Sequence, residues 1–207
     1  MKKVSQLIAA GGLLAMMSLP VLAQGAAAPR PMVDPVVAAR TRAALAANMD
    51  RLFMLKAAQG NTAEVLTGQL ALRKSTNPQV RQLAQMLVRE HGQANVELLQ
   101  ITRRKGLPLP STVGAMHAAT SDQLSRLSGA RFDQMFMAAQ VEAHEATILL
   151  YQQEIAQGRD RDARAYATKY LPGVLTHTAM IYNIARRVGA PGIADRPQAL
   201  TNLTRAR

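Results

Sequence analysis

The chain has 207 residues, with 25 lysines and arginines against 13 acidic residues, a formal net charge of +12, and neither cysteine nor tryptophan. The absence of cysteine excludes disulfide scaffolds, iron–sulfur clusters, thiol catalysis and cysteine-based zinc sites. Aromatic residues make up 3% of the chain. That low content argues against a surface that stacks nucleic-acid bases on aromatic rings, and we expect no nucleic-acid partner.

The first residues have the features of an export signal. Lys2 and Lys3 precede an apolar run over residues 7–19, and the small residue Ala23 marks the cleavage position. The run is shorter than the about 20 apolar residues that a permanent membrane helix needs. We therefore predict a signal peptide over residues 1–23 and no transmembrane helix in the mature chain. The expected location is the periplasm or the outer envelope.

The two ends of the mature chain differ from its middle in composition. Residues 24–49 are rich in alanine and proline, which predicts a flexible leader that is helical in part. Residues 189–207 combine glycine, proline and arginine with few apolar residues, which predicts a disordered tail. The folded domain is therefore expected over residues 50–188.

The sequence predicts four long helices in this domain. Apolar residues recur at helical spacing, and each helix ends at a cap or a breaker. No segment alternates apolar and polar residues with a period of two, so no strand is expected. The predicted helices run over about Asp50–Lys74, Asn77–Arg104, Ala130–Gln157 and Asp160–Val188, and Pro172 is expected to kink the last of them.

The lengths of the connections predict the topology. Two or three residues join helices one and two, and likewise helices three and four, so each of these pairs must be antiparallel. The link between helices two and three has about 25 residues and includes a short predicted helical segment, Asp122–Leu127. One long crossover between two antiparallel pairs is the ferritin-like connectivity. We therefore predict an all-α, ferritin-like four-helix bundle with one long crossover between helices two and three.

Three of the four histidines fall near the middle of three different helices. On helical wheels, His91 and His177 lie on apolar stripes, and His144 lies on the shoulder of one. Glu64 lies among small residues on helix one, where a neighbouring helix can approach closely. At about 1.5 Å per residue, these four residues fall within about 4 Å of one level of the bundle. Glu90 lies at the edge of its stripe.

Imidazoles and carboxylates that converge in a dry bundle are typical of a site for a transition-metal ion, here Zn, Fe, Mn or Cu. The alternative is a non-catalytic envelope interaction or stress protein in which a buried His/Glu cluster only fixes helix register. No nucleophile elbow, P-loop, dinucleotide fingerprint or HExxH motif is present. We therefore predict no catalytic or cofactor-binding residues. The candidate metal ligands are Glu64, Glu90, His91, His144 and His177.

The excess of positive charge raises the question of an anionic partner. The arginines are scattered along every helix, and only residues 103–105 and 186–187 form short basic clusters. This distribution is typical of a solvated surface rather than of a dedicated binding site. Besides a metal ion, an anionic envelope surface remains a possible partner of the chain.

Several motifs, in order and at matching spacing along residues 50–188, resemble one family. They are FMLKAAQG at 53–60, NPQV at 77–80, MLVREH at 86–91, LSGARFD at 127–133, and the Leu171-Pro172 pair followed by His177. The sequence resembles an exported bacterial domain-of-unknown-function family, often labelled "predicted outer membrane protein", with a ferritin-like four-helix fold. The resemblance implies the bundle and an envelope location, and it implies no established activity.

The resemblance also bears on the candidate site. The pattern of that family places an acidic residue and a histidine together on helix two, which Glu90 and His91 match, and Asp-His on helix three, where Ala143 replaces the aspartate. Glu64 and His177 match its glutamate on helix one and its histidine on helix four. The di-iron ferritins use Glu-x-x-His on two helices, a spacing that this chain lacks, so ferroxidase chemistry is not expected.

Overall fold

The computed structural model describes residues 35–109 and 112–193. The predicted signal peptide, residues 24–34 of the leader and residues 194–207 of the tail lie outside the described residues. The described part of the chain contains helices and no strand, which confirms the all-α prediction. None of these helices combines the length and the apolar character needed to cross a membrane. They are α1 (Pro35–Lys74), α2 (Pro78–Arg104), α3 (Ala115–Ser125), α4 (Gly129–Gln157) and α5 (Arg161–Val188).

The ends of α2, α4 and α5 lie where local sequence signals predict them. The side chain of Asn77 accepts hydrogen bonds from two backbone N–H groups in the first turn of α2, and Asp160 does the same for α5. Such caps satisfy N–H groups that have no partner within the helix. Gly189 ends α5 in the left-handed region, with φ 69°. Pro172 lies inside α5, which continues past it.

The first helix is longer than predicted. We expected it to begin near Asp50, but α1 begins at Pro35 and spans 40 residues. Residues 36–49 are rich in alanine and contain neither glycine nor proline, so nothing in them stops a helix. Asp50 instead accepts hydrogen bonds from the backbone N–H groups of Arg159 at 2.9 Å and Asp160 at 3.1 Å. Its acid therefore caps the turn between α4 and α5, not its own helix.

The link between α2 and α4 carries a longer helix than the predicted segment at 122–127. Helix α3 follows Gly114, whose φ of 79° suits a residue without a side chain. The helix buries one apolar side chain, Leu124, which is 3% exposed. Lys74 Nζ donates a hydrogen bond to the carbonyl oxygen of Leu127 at 2.8 Å, which ties the link to the end of α1.

Contacts between side chains give the directions of the long helices. The side chain of Asn61 in α1 contacts His91 in α2. Further along α1, the carbonyl oxygen of Leu72 contacts Arg81, which comes before His91 in α2, so the two helices are antiparallel. The same reversal relates α4 to α5 and α2 to α5. Helices α2 and α4 therefore run in the same direction.

A polar layer separates two apolar clusters within this set of helices. Buried apolar residues of one cluster include Leu83, Leu87, Phe132 and Phe136, and those of the other include Phe53, Leu98, Tyr151 and Tyr166. Between the clusters, each of the four long helices places buried polar side chains at the same level. This polar layer consists of Asn61, Glu64, His91, Gln140, His144 and His177, all at most 7% exposed.

The beginning of the predicted tail is packed. Ala190 and Ile193 are 7% and 3% exposed and join the apolar cluster that contains Leu83 and Phe136. The expectation of disorder from residue 189 is therefore wrong for residues 189–193, because two apolar side chains bury there. The side-chain amide of Gln134 also donates to the last carbonyl oxygen of α5, at 3.0 Å.

Candidate metal centre

Three imidazole rings from three helices meet in the polar layer. His91 of α2, His144 of α4 and His177 of α5 are 6%, 1% and 3% exposed. Their ring centroids lie 5.4 to 5.7 Å apart. One ring nitrogen from each histidine lies within 4.8 Å of those of the other two. Residues separated by up to 86 positions in the sequence thus form one compact group of nitrogen atoms.

The ring of His91 is fixed by a chain of hydrogen bonds. The Tyr166 hydroxyl donates to the carbonyl oxygen of Ala94 at 3.3 Å and accepts from the amide nitrogen of Asn61 at 2.8 Å. The amide oxygen of Asn61 therefore faces His91, and its distance to Nδ1 is 2.9 Å. Because that oxygen can only accept, His91 Nδ1 carries the proton and donates it.

The other two rings are held in the same manner. His144 Nδ1 donates to the backbone carbonyl oxygen of Gln140, one helical turn earlier, at 3.1 Å. His177 Nε2 donates to the Glu90 carboxylate at 2.8 Å. In each ring, therefore, one nitrogen is a donor to a fixed acceptor, and the remaining nitrogen carries a lone pair in the neutral ring.

The three remaining nitrogens are buried and have no hydrogen-bond partner. They are His91 Nε2, His144 Nε2 and His177 Nδ1. In neutral rings they cannot pair with one another, because all three are acceptors. An unsatisfied buried polar group costs about 1–3 kcal/mol. In each ring, therefore, one nitrogen has a hydrogen-bond partner, and the lone pair of the other nitrogen is available to an electron-pair acceptor such as a metal ion.

Burial keeps His91 and His144 in the neutral form that a metal ion requires. Desolvation, together with repulsion from the neighbouring His177, lowers the pKa of His91 to about 3. Desolvation likewise holds the pKa of His144 well below its ordinary value, with additional repulsion from the other two rings. At neutral pH these two rings therefore bind no second proton, and their lone pairs are available.

Glu90 supplies negative charge behind His177. Partial burial opposes ionisation of its carboxyl group, but hydrogen bonds from His177 and Arg89 outweigh that effect and hold its pKa below the ordinary value. The side chain of Glu90 is 38% exposed, and Arg89 approaches it to 2.8 Å from the solvent side. The predicted ligand Glu90 thus contacts the outer nitrogen of an imidazole, in the position from which a carboxylate raises the basicity of a metal-binding histidine.

Glu64 lies beside the group of imidazoles without being part of it. Its Oε1 is 3.8 Å from His144 Nδ1, the nitrogen that is already bonded to Gln140, and its Oε2 is buried without a partner. Burial raises the pKa of its carboxyl group to about 7. The structure therefore brings the five predicted residues together: the three rings contact one another, Glu90 contacts His177, and Glu64 lies 3.8 Å from His144.

Two cavities approach the polar layer from different sides. A cavity of about 260 Å³ is lined by His91 and His177 and by residues of α2 and α5, among them Arg89 and Gly173. A second cavity of about 390 Å³ lies between α1, α3 and α4. Glu64 lines this second cavity, and none of the three clustered histidines does.

The sequence analysis missed two members of the polar layer, Asn61 and Gln140. Each acts through a neighbour: Asn61 orients His91, and Gln140 supplies a backbone carbonyl to His144. A signal for Asn61 is present, because it lies three positions before Glu64 and hence on the same face of α1. No side-chain pattern points to a backbone acceptor such as that of Gln140.

A family match supports the resemblance drawn from the motifs. Residues 35–184 match the family described as "Domain of unknown function (DUF4142)". No curated protein matches the chain. The matched range includes all of the polar layer and begins at the observed start of α1.

Two solved structures share the fold at low sequence identity. One is a DUF305 protein from Streptomyces coelicolor that is described as secreted. It is 12% identical, with a TM-score of 0.59 over 69% of this chain and 94% of the other. The second is a DUF305 fragment from Deinococcus radiodurans, 14% identical, with a TM-score of 0.60 over 67% and 96% of the two chains. At these identities the similarity concerns the fold alone.

Proposed function

We propose that this chain, which belongs to the DUF4142 family, is an exported protein that binds one transition-metal ion between His91, His144 and His177. The observation that carries the proposal is that three imidazole rings in mutual contact each keep one buried nitrogen without a partner. Asn61, the Gln140 carbonyl and Glu90 hold the rings from behind. Glu90, which is hydrogen-bonded to His177, offsets part of the charge of the ion, and Glu64 is the other carboxylate beside the rings.

The distances support a small ion at the centre of the group. In tetrahedral coordination with Zn–N bonds of about 2.0–2.1 Å, ligand nitrogens lie about 3.3 Å apart. The nitrogens of the three rings lie within 4.8 Å of one another without an ion. A contraction of up to about 1.5 Å, achieved by rotation of the side chains, closes this difference. Three neutral imidazoles suit Zn, Cu and Fe better than Mn, which prefers oxygen ligands.

A purely structural role explains the cluster less well. Neutral rings whose lone pairs face one another gain no hydrogen bond from the contact, and their buried acceptors cost about 1–3 kcal/mol each. A cluster that served only to fix helix register would be expected to pair these atoms. The arrangement observed, in which only the outward nitrogens are paired, is typical of metal-binding histidines.

The bundle and the export are inferred on separate grounds. The antiparallel pairs, together with the parallel course of α2 and α4, support a ferritin-like connectivity with one crossover. The charged and apolar pattern of residues 1–23 and the secreted DUF305 relative support export to the periplasm or the outer envelope. An environment outside the cytoplasm would expose the site to the metal ions of that compartment.

Metal titration of a protein purified without a histidine tag tests the proposal. We expect about one equivalent of Zn²⁺ or Cu²⁺ to bind the chelator-treated protein. At 100 times the dissociation constant, binding should raise the free energy of unfolding by about 2.7 kcal/mol, and with it the melting temperature. His144→Ala should weaken metal binding more than about 100-fold. This loss exceeds the 10- to 100-fold effect of changing a residue that only hydrogen-bonds to a metal ligand.

His117→Ala is the matched control, because His117 lies on α3 outside the cluster and should leave binding unchanged. His177→Gln repeats the test with a smaller change in volume, and circular dichroism of the metal-free variants checks that they fold. The proposal is wrong if the wild-type protein binds none of Zn²⁺, Cu²⁺, Fe²⁺ or Mn²⁺ in stoichiometric amount. It is equally wrong if His117→Ala loses as much affinity as His144→Ala.

A further inference from the structure

We infer that the bound ion keeps one coordination position open to a small exogenous monoanion, which enters through the 260 Å³ cavity between α2 and α5. This inference rests on the proposed metal site and adds a ligand class to it. It depends on three separate features: the number of protein ligands, the position of the cavity and the charge of the site.

In the described part of the chain, three ligand atoms come together and no fourth joins them. Among residues 35–109 and 112–193, the group of possible metal ligands consists of the three histidines alone. Glu90 is engaged on the outer nitrogen of His177, and Glu64 Oε1 lies 3.8 Å from the nitrogen of His144 that is bonded to Gln140. Zinc sites with three protein ligands leave the fourth position to water or to substrate, whereas structural zinc sites have four.

The cavity gives this open position a route to solvent. It is lined by His91 and His177, so it reaches two of the three rings. Arg89, with a side chain 60% exposed, lines the cavity as well. The larger cavity between α1, α3 and α4 is lined by none of the three rings. A ligand that arrives through the first cavity therefore meets the metal site, and one in the second does not.

Charge selects an anion. Three neutral imidazoles leave a divalent ion with its full charge in a buried layer, where an uncompensated charge is costly. Glu90 contributes one negative charge at a distance, through His177. A monoanion bound directly to the ion reduces the remaining charge further. Arg89 and Glu90 both line the cavity and pair with each other at 2.8 Å, so the ion itself supplies the attraction for an anion.

The lining of the cavity limits the size and shape of the ligand. Tyr151, Tyr170, Val174 and Ala94 supply aromatic and aliphatic surface next to the polar groups. Pockets for drug-sized molecules usually measure about 300–1,000 Å³, so a cavity of about 260 Å³ suits a smaller molecule. The chemistry indicated is an oxygen or nitrogen donor with one negative charge on a compact apolar body, such as a small carboxylate.

Gly173 offers a way to close this cavity without touching a metal ligand. It lines the cavity, and a Cβ atom placed on it would meet no atom within 4 Å. Gly60 is the matched control: it lines the 390 Å³ cavity and also has no atom within 4 Å of an added Cβ. Both glycines lie inside helices, where a leucine is intrinsically favoured over glycine.

The experiment uses the full mature chain loaded with Cu²⁺, after the metal content of each variant has been measured. Azide is titrated and followed by its charge-transfer absorption, and benzoate is then added as a competitor. We expect one azide per copper in the wild type, and displacement by benzoate. Gly173→Leu should keep its copper and weaken benzoate at least tenfold, with a smaller effect on the three-atom azide, whereas Gly60→Leu should change neither.

The outcomes separate the two proposals. A wild-type protein that holds copper but gives no azide response overturns the open position alone. Equal benzoate affinity in the wild type and Gly173→Leu, or equal losses in Gly173→Leu and Gly60→Leu, overturns the assignment of the cavity. A wild-type protein that binds none of Cu²⁺, Zn²⁺, Fe²⁺ and Mn²⁺ before any anion is added overturns the metal site, and this inference with it.

Discussion

Two clusters of polar side chains in this protein differ in the hydrogen-bond partners of their polar atoms. In the polar layer, three imidazole rings lie in contact, and each keeps one buried nitrogen without a partner. At the turn between α4 and α5, the acids Asp50 and Asp160 instead accept backbone N–H groups, and Lys105 lies 2.8 Å from Asp160. We call Asp50, Glu154 and Asp160 the end cluster.

The comparison shows how burial of polar groups can be interpreted. Asp50 and Asp160 close the backbone of a turn and cap a helix, so these two acids of the end cluster are explained by the fold. In each of the three imidazoles, one nitrogen is hydrogen-bonded to a neighbouring group, and the other has no partner. A buried polar group therefore points to a ligand when its unpaired atoms converge, and to structure when its atoms cap the backbone. The predictions below test that distinction in both clusters.

The largest expected effect is on the end cluster, at Gly158. A Cβ atom at this position would lie 2.2 Å from Oε1 of Glu154 and 2.5 Å from the Glu154 backbone oxygen. The backbone atom cannot rotate away, so we expect Gly158→Ala to lower the free energy of unfolding by about 2–3 kcal/mol. Urea denaturation measures this loss, and metal affinity should stay unchanged.

Gly173→Ala is the control for Gly158→Ala, because its added methyl group meets open space. It should leave stability unchanged or raise it by up to about 1 kcal/mol. A Gly158→Ala protein as stable as the wild type would mean that the turn is not as tightly packed against Glu154 as described.

A smaller effect is expected when the support behind His177 is removed. Glu90→Gln keeps the size of the side chain but takes away the negative charge that accepts the proton of Nε2. Loss of a carboxylate that is hydrogen-bonded to a metal-binding histidine typically weakens metal binding 10- to 100-fold, or by about 1.4–2.7 kcal/mol. Isothermal titration with Zn²⁺ measures the change.

Glu97→Gln serves as the comparison for Glu90→Gln, since Glu97 lies two turns further along α2 and pairs with Lys169 and Tyr170, away from the imidazoles. It should bind Zn²⁺ as the wild type does. Equal affinity for Glu90→Gln and the wild type would remove Glu90 from the account of the metal site.

The smallest effect is a pH dependence in the end cluster. Burial, together with the charge and hydrogen bond of Asp50, raises the pKa of Glu154 to about 7. Because this pKa exceeds the usual value of 4.5, the stability that the group contributes is fully present below about pH 4.5. It is lost as the pH rises through 7. The loss by pH 8 should be on the order of 1–3 kcal/mol.

Glu154→Gln cannot ionise and should escape this loss. Measured in chelator, the stability of Glu154→Gln relative to the wild type should therefore rise between pH 4.5 and pH 8. A difference that stays constant over this range would show that Glu154 ionises as easily in the folded as in the unfolded chain.

The sequence predicts much of the fold because the signals there are local. Asn77 and Asp160 cap helices, and Gly189 ends one, at the predicted positions. Helical wheels and chain levels also place His91 and His177 in one buried layer. Local signals fail at Asp50, which resembles an N-cap but binds a turn more than 100 positions away. Similarly, they give no warning that Ile193 packs against the core.

The candidate site is only partly predictable for the same reason. A wheel shows that His144 lies near the core, but not that the carbonyl oxygen of Gln140 takes the proton of its Nδ1. It shows Glu64 on an inward face, but not that Asn61 instead orients His91. Which nitrogen of a ring is left with a lone pair depends on tertiary contacts, and those contacts are what distinguishes a metal site from a buried histidine.

X-ray absorption at the zinc edge tests the central claim most directly. For the zinc-loaded, untagged protein we predict a first shell with three imidazole nitrogens at about 2.0–2.1 Å, together with the outer-shell scattering of imidazole rings. The zinc-loaded His144→Ala protein should lose one of these rings. A first shell of oxygen atoms without imidazole scattering, or a wild-type protein that retains no zinc, would contradict the account.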